Sequence, residues 1–366
     1  MGDFMEFFNR KKELEDLKKL LSFEPNLIYF IYGPINSGKT TLINEVIKDL
    51  DDEYVAFYID LRAHFISKYD EFIRVLFDAS SYDNKNIKKF LKDLLIDVPH
   101  SLGGIPIPKT LLNELLNENK SEDVFKYVID VFENLKNNGK KPILIIDELQ
   151  VIEDLKINGY LIYKLFNFFI SLTKQRHLSH VVVLTSDSLF INKVYNDAML
   201  QLSENLWFSQ LSASLRDRCK YYLVDDFDYE TTKEFLIKNN FSPEEIETVW
   251  NYLGGKPIKL IDVVQEKSLG NDVDEYCKSS LIFRARQIKD ELYKLKREDE
   301  ILFKNVLGLF GKYKHFDSFI YEELTDDIIW AVKKNILFVN IKTGELKPQG
   351  KLELLAINEV LKDFMV

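Results

Sequence analysis

Cysteine is nearly absent: Cys219 and Cys277 are the two in 366 residues, and they stand far apart. Such a pair makes neither a zinc module nor a disulfide framework, which excludes both classes and leaves a reducing cytoplasm as the expected compartment. Long apolar runs are missing as well. Every hydrophobic stretch is shorter than the roughly 20 residues that cross a bilayer, and the acidic start Met1-Gly2-Asp3-Phe4-Met5-Glu6 is unlike a signal peptide. The expectation is a soluble protein without a membrane partner. An overall basic excess is lacking too: 49 Lys and Arg face 59 Asp and Glu, and a net charge of -10 excludes a protein that coats nucleic acid over its whole surface. Internal repeats and low-complexity tracts are not found. What remains is a globular chain, 46% hydrophobic and long enough for two or three domains. Its many Lys, Glu, Ile and Tyr with few Gly suit a heat-adapted proteome.

The charge is uneven. From Tyr276 onward 16 Lys and Arg exceed 14 Asp and Glu, so the acidity belongs to the preceding residues. An acidic engine with a near-neutral tail suggests two functions on one chain.

The most informative segment is Gly33-Pro34-Ile35-Asn36-Ser37-Gly38-Lys39-Thr40, which matches G-x-x-x-x-G-K-[ST]. The apolar run Asn26–Tyr32 precedes it and reads as a buried strand; Thr41–Ile47 follows with apolar residues at helical spacing. A glycine-rich turn between strand and helix directs backbone N–H groups and the helix dipole at a polyphosphate. Lys39 then reaches the β- and γ-oxygens, and the Thr40 hydroxyl is placed for Mg²⁺.

Further strands are read at Tyr54–Asp60, Pro142–Glu148, His180–Asp187 and near Leu206–Phe208. Helices are read at Arg10–Leu21, Asp70–Ala79, Asn86–Ile96, Glu122–Lys136 and Leu161–Lys174, with a loop or small ribbon at Leu102–Pro108. This alternation predicts an α/β fold, a mostly parallel sheet with helices on both faces. Residues 1–225 would form this core. Residues 226–275 turn helical (Thr231–Lys238, Pro243–Tyr252, a turn at Gly254-Gly255-Lys256-Pro257) and read as a helical lid. A charged connector helix, Leu281–Lys296, lies within 276–297. In 298–366, helices at Asp299–Leu309, Phe316–Glu323 and Asp326–Lys334 precede a hairpin, Ile336–Lys342 returning through Glu345–Lys347: the outline of a winged helix-turn-helix.

Asp147 and Glu148 end the apolar strand at the edge where open α/β sheets bind nucleotides, a Walker-B arrangement. Asp147 would serve the Mg²⁺ shell, and Glu148 would orient or deprotonate an attacking water. A GTPase-type guanine-reading motif and an arginine-rich kinase lid are not found, which leaves water as the acceptor. The strand His180–Ser186 is expected between the two motif strands. Ser186-Asp187 reads either as a reporter of the γ-phosphate or as a helix cap. Arg216 and Arg218 are either solvated or stabilise charge on the transferring phosphoryl group, in cis or on a neighbouring subunit.

Together these residues resemble the archaeal ATPase family of the AAA+-related STAND class and, more distantly, the origin-recognition initiator ATPases. The resemblance rests on the box Phe7-Phe8-Asn9-Arg10-Lys11-Lys12-Glu13-Leu14, the Gly33–Thr40 loop, Ile145-Ile146-Asp147-Glu148-Leu149-Gln150, the Gly254–Pro257 turn and the tail. It implies an AAA+-like P-loop fold of five strands, with one strand inserted between Walker A and Walker B. It also implies a Mg²⁺-dependent ATP hydrolase, slow without a partner, whose nucleotide state moves lid and winged helix. ATP would be held by Gly33 to Thr41, with Arg10 and Pro257 flanking the adenine from opposite sides; Lys259 would replace the arginine that relatives carry in the lid. The contrasting reading is a non-hydrolysing scaffold for ADP or ATP.

For the tail the resemblance suggests DNA. Asp326 and Asp327 open its would-be recognition helix and oppose phosphates, while Lys312, Lys314, Lys333, Lys334, Lys342 and Lys347 would allow salt-sensitive attachment. A protein-docking module is the alternative.

Overall fold

The computed structural model describes residues 7–80, 101–117, 121–152, 160–191 and 218–364. In chain order the strands of the first 225 residues are β1 (Ile28–Tyr32), β2 (Tyr54–Asp60), β3 (Phe77–Ser80), β4 (Ser101–Leu102), β5 (Ile105–Pro108), β6 (Lys141–Asp147), β7 (His180–Thr185) and β8 (Cys219–Leu223). The main sheet runs β4-β2-β6-β7-β1-β8, and every pairing in it is parallel. The strand between the two motif strands is β7, as the sequence suggested.

Strand burial explains the apolar runs. All residues of β1 and β7 are buried, because parallel strands covered on both faces have no solvent side to favour alternation. The two-residue period survives in the choice of face. Ile28, Phe30 and Tyr32 enter one core together with the helices Ser121–Asn137 and Tyr160–Ile170. Tyr29 and Ile31 enter the opposite core, with Leu17 and Leu21 of the helix Lys11–Ser22 and Leu42, Ile43 and Val46 of the helix Lys39–Lys48.

Several elements differ from expectation. The helix expected at Asp70–Ala79 spans Tyr69–Leu76, and Phe77–Ser80 continues as β3 because the apolar run of β5 pairs with it in parallel. Gly104 permits that ribbon, since a Cβ there would stand 2.8 Å from the Asp78 nitrogen. β8 was not foreseen, since Cys219–Leu223 is short and mixed in polarity. The strand read at Leu206–Phe208 and the helix read at Asn86–Ile96 lie outside the described residues.

Beyond β8 come helices Tyr229–Lys238, Pro243–Leu253 and Pro257–Ser268, then one long helix, Val273–Glu298, which starts earlier than its charged stretch suggested. The tail runs helix Glu300–Lys312, β9 (Phe319–Ile320), helix Asp326–Lys333, β10 (Leu337–Asn340), β11 (Glu345–Pro348) and helix Lys351–Phe364. The short helix expected at Phe316–Glu323 is replaced by β9, whose backbone finds partners on β11. The last helix was not read from the sequence. β10 also packs back on the core: Phe338 stacks on Tyr32 of β1 at 6.3 Å, and the Tyr32 hydroxyl donates to Asn340 Oδ1 at 2.9 Å. Among the described residues no helix is long and apolar enough to cross a membrane.

His180 at the start of β7 is buried, and its Nδ1 has no hydrogen-bond partner. Burial pushes the imidazole down to about 4, against partial opposition from the carbonyls of Leu21 and Phe23. The unfolded chain therefore binds the proton that the folded chain refuses. Stability should be full above about pH 6.5 and fall by up to ~3 kcal/mol as the pH drops toward 4. Denaturant titrations at pH 7.5 and 5 should show this loss, and His180→Gln should reduce it.

Candidate functional site

The phosphate loop is shaped by three local demands. Gly33 passes so close to β8 that a Cβ would stand 2.0 Å from the Val224 carbonyl oxygen. Asn36 and Gly38 adopt positive φ of 60° and 89°, a region that Gly enters freely and Asn tolerates. Gly38 then opens the helix Lys39–Lys48. Lys39 is 6% exposed and folds back on the loop, donating to the Gly33 and Pro34 carbonyls at 3.1 and 2.9 Å. Burial lowers its ammonium to about 8; Glu148 opposes this and Lys256 reinforces it.

Across β7, the end of β6 brings the carboxylates to the loop. Asp147 Oδ2 accepts from the Thr40 hydroxyl at 2.7 Å and from the Tyr58 hydroxyl at 2.5 Å. Thr40 and Asp147 thus put two hard oxygen donors at one point, a set suited to Mg²⁺, which takes few protein ligands and completes its shell with water and phosphate. Glu148 follows in the left-handed region at φ 59°, a sparsely populated geometry often found at functional sites. Its carboxylate accepts from Arg62 at 2.6 Å, from the Gln150 amide and from Ser186 at 3.3 Å. Burial raises its pKa, with Arg62 opposing. The loop, Glu148 and the helix Pro257–Ser268 line a cleft of about 230 Å³ that includes Ile35, Asn36, Gly38 to Thr41, Arg62, Glu148, Ser186, Pro257, Ile258 and Ile261.

The loop is fastened from behind by groups distant in sequence. Arg10, 6% exposed, donates to the carbonyls of Ser37 and Asp225, both at 2.7 Å, and lies over the Phe227 ring at 4.6 Å. Lys256 donates to the Ile35 carbonyl at 3.0 Å and pairs with Asp226 at 3.2 Å. The turn that carries Lys256 fits because residue 255 is glycine: a Cβ there would stand 1.8 Å from the Phe227 carbonyl oxygen. From the tail, Gln349 Oε1 accepts the Ile35 N–H at 2.9 Å.

Most expected residues therefore converge. Ile35, Asn36, Gly38, Lys39, Thr40, Thr41, Glu148 and Pro257 line one cleft, with Asp147 bonded to Thr40 at its edge. Gly33 and Pro34 support Lys39 through their carbonyls, and Ser37 is buried in the loop. Three residues are placed differently. Arg10 backs the loop and does not line the cleft, because its guanidinium is taken by two carbonyls and Glu13. Arg218 immediately precedes β8, and its carbonyl accepts the N–H of Ile28 at the other end of β1 from the loop. At ~3.3 Å per residue the five-residue strand puts it well away from the cleft of its own chain. Lys259 pairs with Asp262 on its own helix and does not line the cleft. Arg216 lies outside the described residues. Asp187 caps the Leu189 and Phe190 N–H groups, the cap expected of that dipeptide, while Ser186 lines the cleft. Arg62, Lys256 and Gln349 were missed as site residues. Arg62 had a signal, two residues beyond the end of β2; Gln349 had none.

The chain matches the model of an ATPase domain predominantly from Archaea over residues 7–263. Residues 274–361 match the C-terminal domain of the uncharacterized ATP-binding protein MJ1010-like group. It is 57% identical to an uncharacterized ATP-binding protein of Methanocaldococcus jannaschii, covering 99% of each chain, and 48% identical to one of Pyrococcus abyssi, covering 97% and 98%. Among solved structures it is similar to the Walker-type ATPase of Pyrococcus abyssi (TM-score 0.60, 17% identity, 96% of each chain). It is also similar to the ORC2 protein of Aeropyrum pernix (TM-score 0.50, 11% identity, 99% and 96% of the chains). At these identities the two structures establish a shared P-loop ATPase fold.

Arg10→Met should leave the buried Ser37 carbonyl and the half-buried Asp225 carbonyl without their donor and cost about 2–4 kcal/mol. Urea unfolding checks the loss. A change under ~0.5 kcal/mol would show that Arg10 does not hold the loop.

Proposed function

The chain belongs to the ATPase family found predominantly in Archaea, and from that premise we propose that it hydrolyses ATP with Mg²⁺ in this cleft as a nucleotide-driven regulatory switch. That it is an ATP-binding protein of the ATPase type follows from its family and relatives. The observation that carries the finer reading is the convergence of Lys39, the Thr40–Asp147 pair and Glu148 across β7. Loop N–H groups and Lys39 would hold the β- and γ-phosphates; Thr40 and Asp147 would hold Mg²⁺, which when bound neutralises charge on the phosphates. Glu148 would take the proton of the attacking water, its raised pKa bringing it closer to neutral pH. Pro257, Ile258 and Ile261 offer the apolar wall for a base.

One observation favours the contrasting reading, a scaffold that binds nucleotide without hydrolysing it. Glu148 is tied to Arg62, Gln150 and Ser186, and must leave the guanidinium to activate water. That tether supports slow turnover as the resting behaviour. The order helix, strand, helix, hairpin, helix supports a winged-helix reading of the tail, with 226–275 as lid and 298–366 as tail unit. Its lysines favour a protein over DNA as partner: Lys334 pairs with Glu291 and Lys347 with Asp225, while Lys312 lies over Phe319.

Lys39→Ala should abolish ATP binding measured by calorimetry, while Glu148→Gln should retain binding and lose at least a hundredfold in turnover. Hydrolysis unchanged in Glu148→Gln would contradict the assignment of the base. The lowered pKa of Lys39 sets the sign of the pH effect. Between about pH 8 and 10 Lys39 loses its proton in the free protein but keeps it when paired with phosphate, so Kd for ATP should rise by up to tenfold per unit. For the tail, no salt-sensitive gel shift with duplex DNA is expected at low ionic strength; a shift lost on removal of residues 298–366 would instead assign DNA.

A further inference from the structure

Among the described residues, Ile35 is the one loop residue whose two backbone polar groups are both bonded to side chains from other parts of the chain. Its carbonyl accepts from Lys256 of the lid at 3.0 Å, and its N–H donates to Gln349 of the tail at 2.9 Å. Gln349 is itself fixed. It is 2% exposed, its Nε2 donates to the Leu337 carbonyl at 3.0 Å, and its own N–H donates to the Ile336 carbonyl at 2.9 Å. The neighbouring Gly350 lies against the Lys256 stem, where a Cβ would stand 2.8 Å from Cε. Lid and tail therefore grip the two consecutive peptides on either side of the Ile35 Cα, the tail the Pro34–Ile35 peptide and the lid the Ile35–Asn36 peptide.

We propose that Gln349 is a positioning residue for the phosphate loop, supplied by the tail, so that tail docking and nucleotide binding reinforce each other through Ile35. The inference rests on the nucleotide reading of the cleft. A docked tail holds the Pro34–Ile35 peptide in the orientation that leaves the following residues, Asn36 to Thr41, curled toward an anion. Bound phosphate in turn holds the loop in the form that Gln349 recognises. By linkage the two effects have the same magnitude. Gln349 touches no phosphate on this account and acts only through the loop.

The test uses the full chain, with ADP as the probe. Gln349→Met removes the acceptor at similar volume, and Gln349→Glu keeps an acceptor for the Ile35 N–H. Arg284→Met serves as the control: it breaks the contacts of Arg284 with Glu353 and the Asn335 carbonyl inside the tail and leaves the loop contact alone. Gln349→Met should weaken ADP binding about five- to tenfold, the worth of one buried hydrogen bond, and Gln349→Glu should recover part of it. ADP should slow hydrogen exchange in residues 337–349 of the native chain, and less so in Gln349→Met. If Arg284→Met weakens ADP as much as Gln349→Met, the effect is general destabilisation and the inference fails. It also fails if Gln349→Met binds ADP like the native chain. Failure of the native chain to bind ADP would instead overturn the reading of the cleft.

Discussion

A loop that reserves its N–H groups for an anion turns its carbonyls the other way, and each buried carbonyl then needs a donor from elsewhere. This requirement organises the molecule. Lys39 serves Gly33 and Pro34, Lys256 serves Ile35, and Arg10 serves Ser37. All three donors are cationic and buried, so their bonds are charge-assisted and stronger than bonds between neutral groups. Burying them has a cost, which neighbouring carboxylates offset: Asp226 beside Lys256, Glu13 beside Arg10, Glu148 and Asp147 near Lys39.

Because the donors come from three separate segments, the loop ties together parts that otherwise have their own cores. The helices after β8 pack around Leu236, Val249 and Leu260, and the tail around Val306, Phe310 and Ile357. Most of each cluster is drawn from its own segment, although Leu189 from beyond β7 joins the tail cluster and Phe338 of the tail joins the sheet core. What brings them to it is partly apolar, Phe338 stacked on Tyr32, and partly polar and specific: the Phe227–Gly255 backbone approach, the Lys256 contact, the Gln349 contact and the pairing of Lys347 with Asp225. Polar contacts of this kind can break singly, whereas the apolar cores on either side cannot. On the proposed reading, that difference would let the junction respond to nucleotide state.

How much was legible in the sequence follows from the range of the interactions. β1, β2, β6 and β7 and their helices are local patterns: apolar runs of strand length alternating with helical spacing. The loop and the Asp147–Glu148 strand end are short motifs whose chemistry lies within a few residues. β3 and β9 were missed because a strand exists only with its partner, β5 or β11, and neither segment announces that pairing. Arg10 and Pro257 were both expected at the nucleotide. Pro257 lines the cleft, whereas Arg10 turned out to hold the loop from behind, a distinction made by contacts with Ser37 and Asp225 that no spacing encodes. Gln349 was invisible for the same reason: its partner is 314 residues away. Arg218 shows the same limit: which end of the sheet it occupies is set by the pairing of the following strand with β1, which places its carbonyl on Ile28.

The most direct measurement is a crystal structure of the full chain grown with ADP and magnesium. The account predicts the diphosphate seated on the backbone of Asn36 to Thr41, with Lys39 Nζ moved from the Gly33 and Pro34 carbonyls onto phosphate while Arg10 and Lys256 keep theirs. A nucleotide bound elsewhere, or Lys39 still folded on the two carbonyls beside a bound diphosphate, would contradict it.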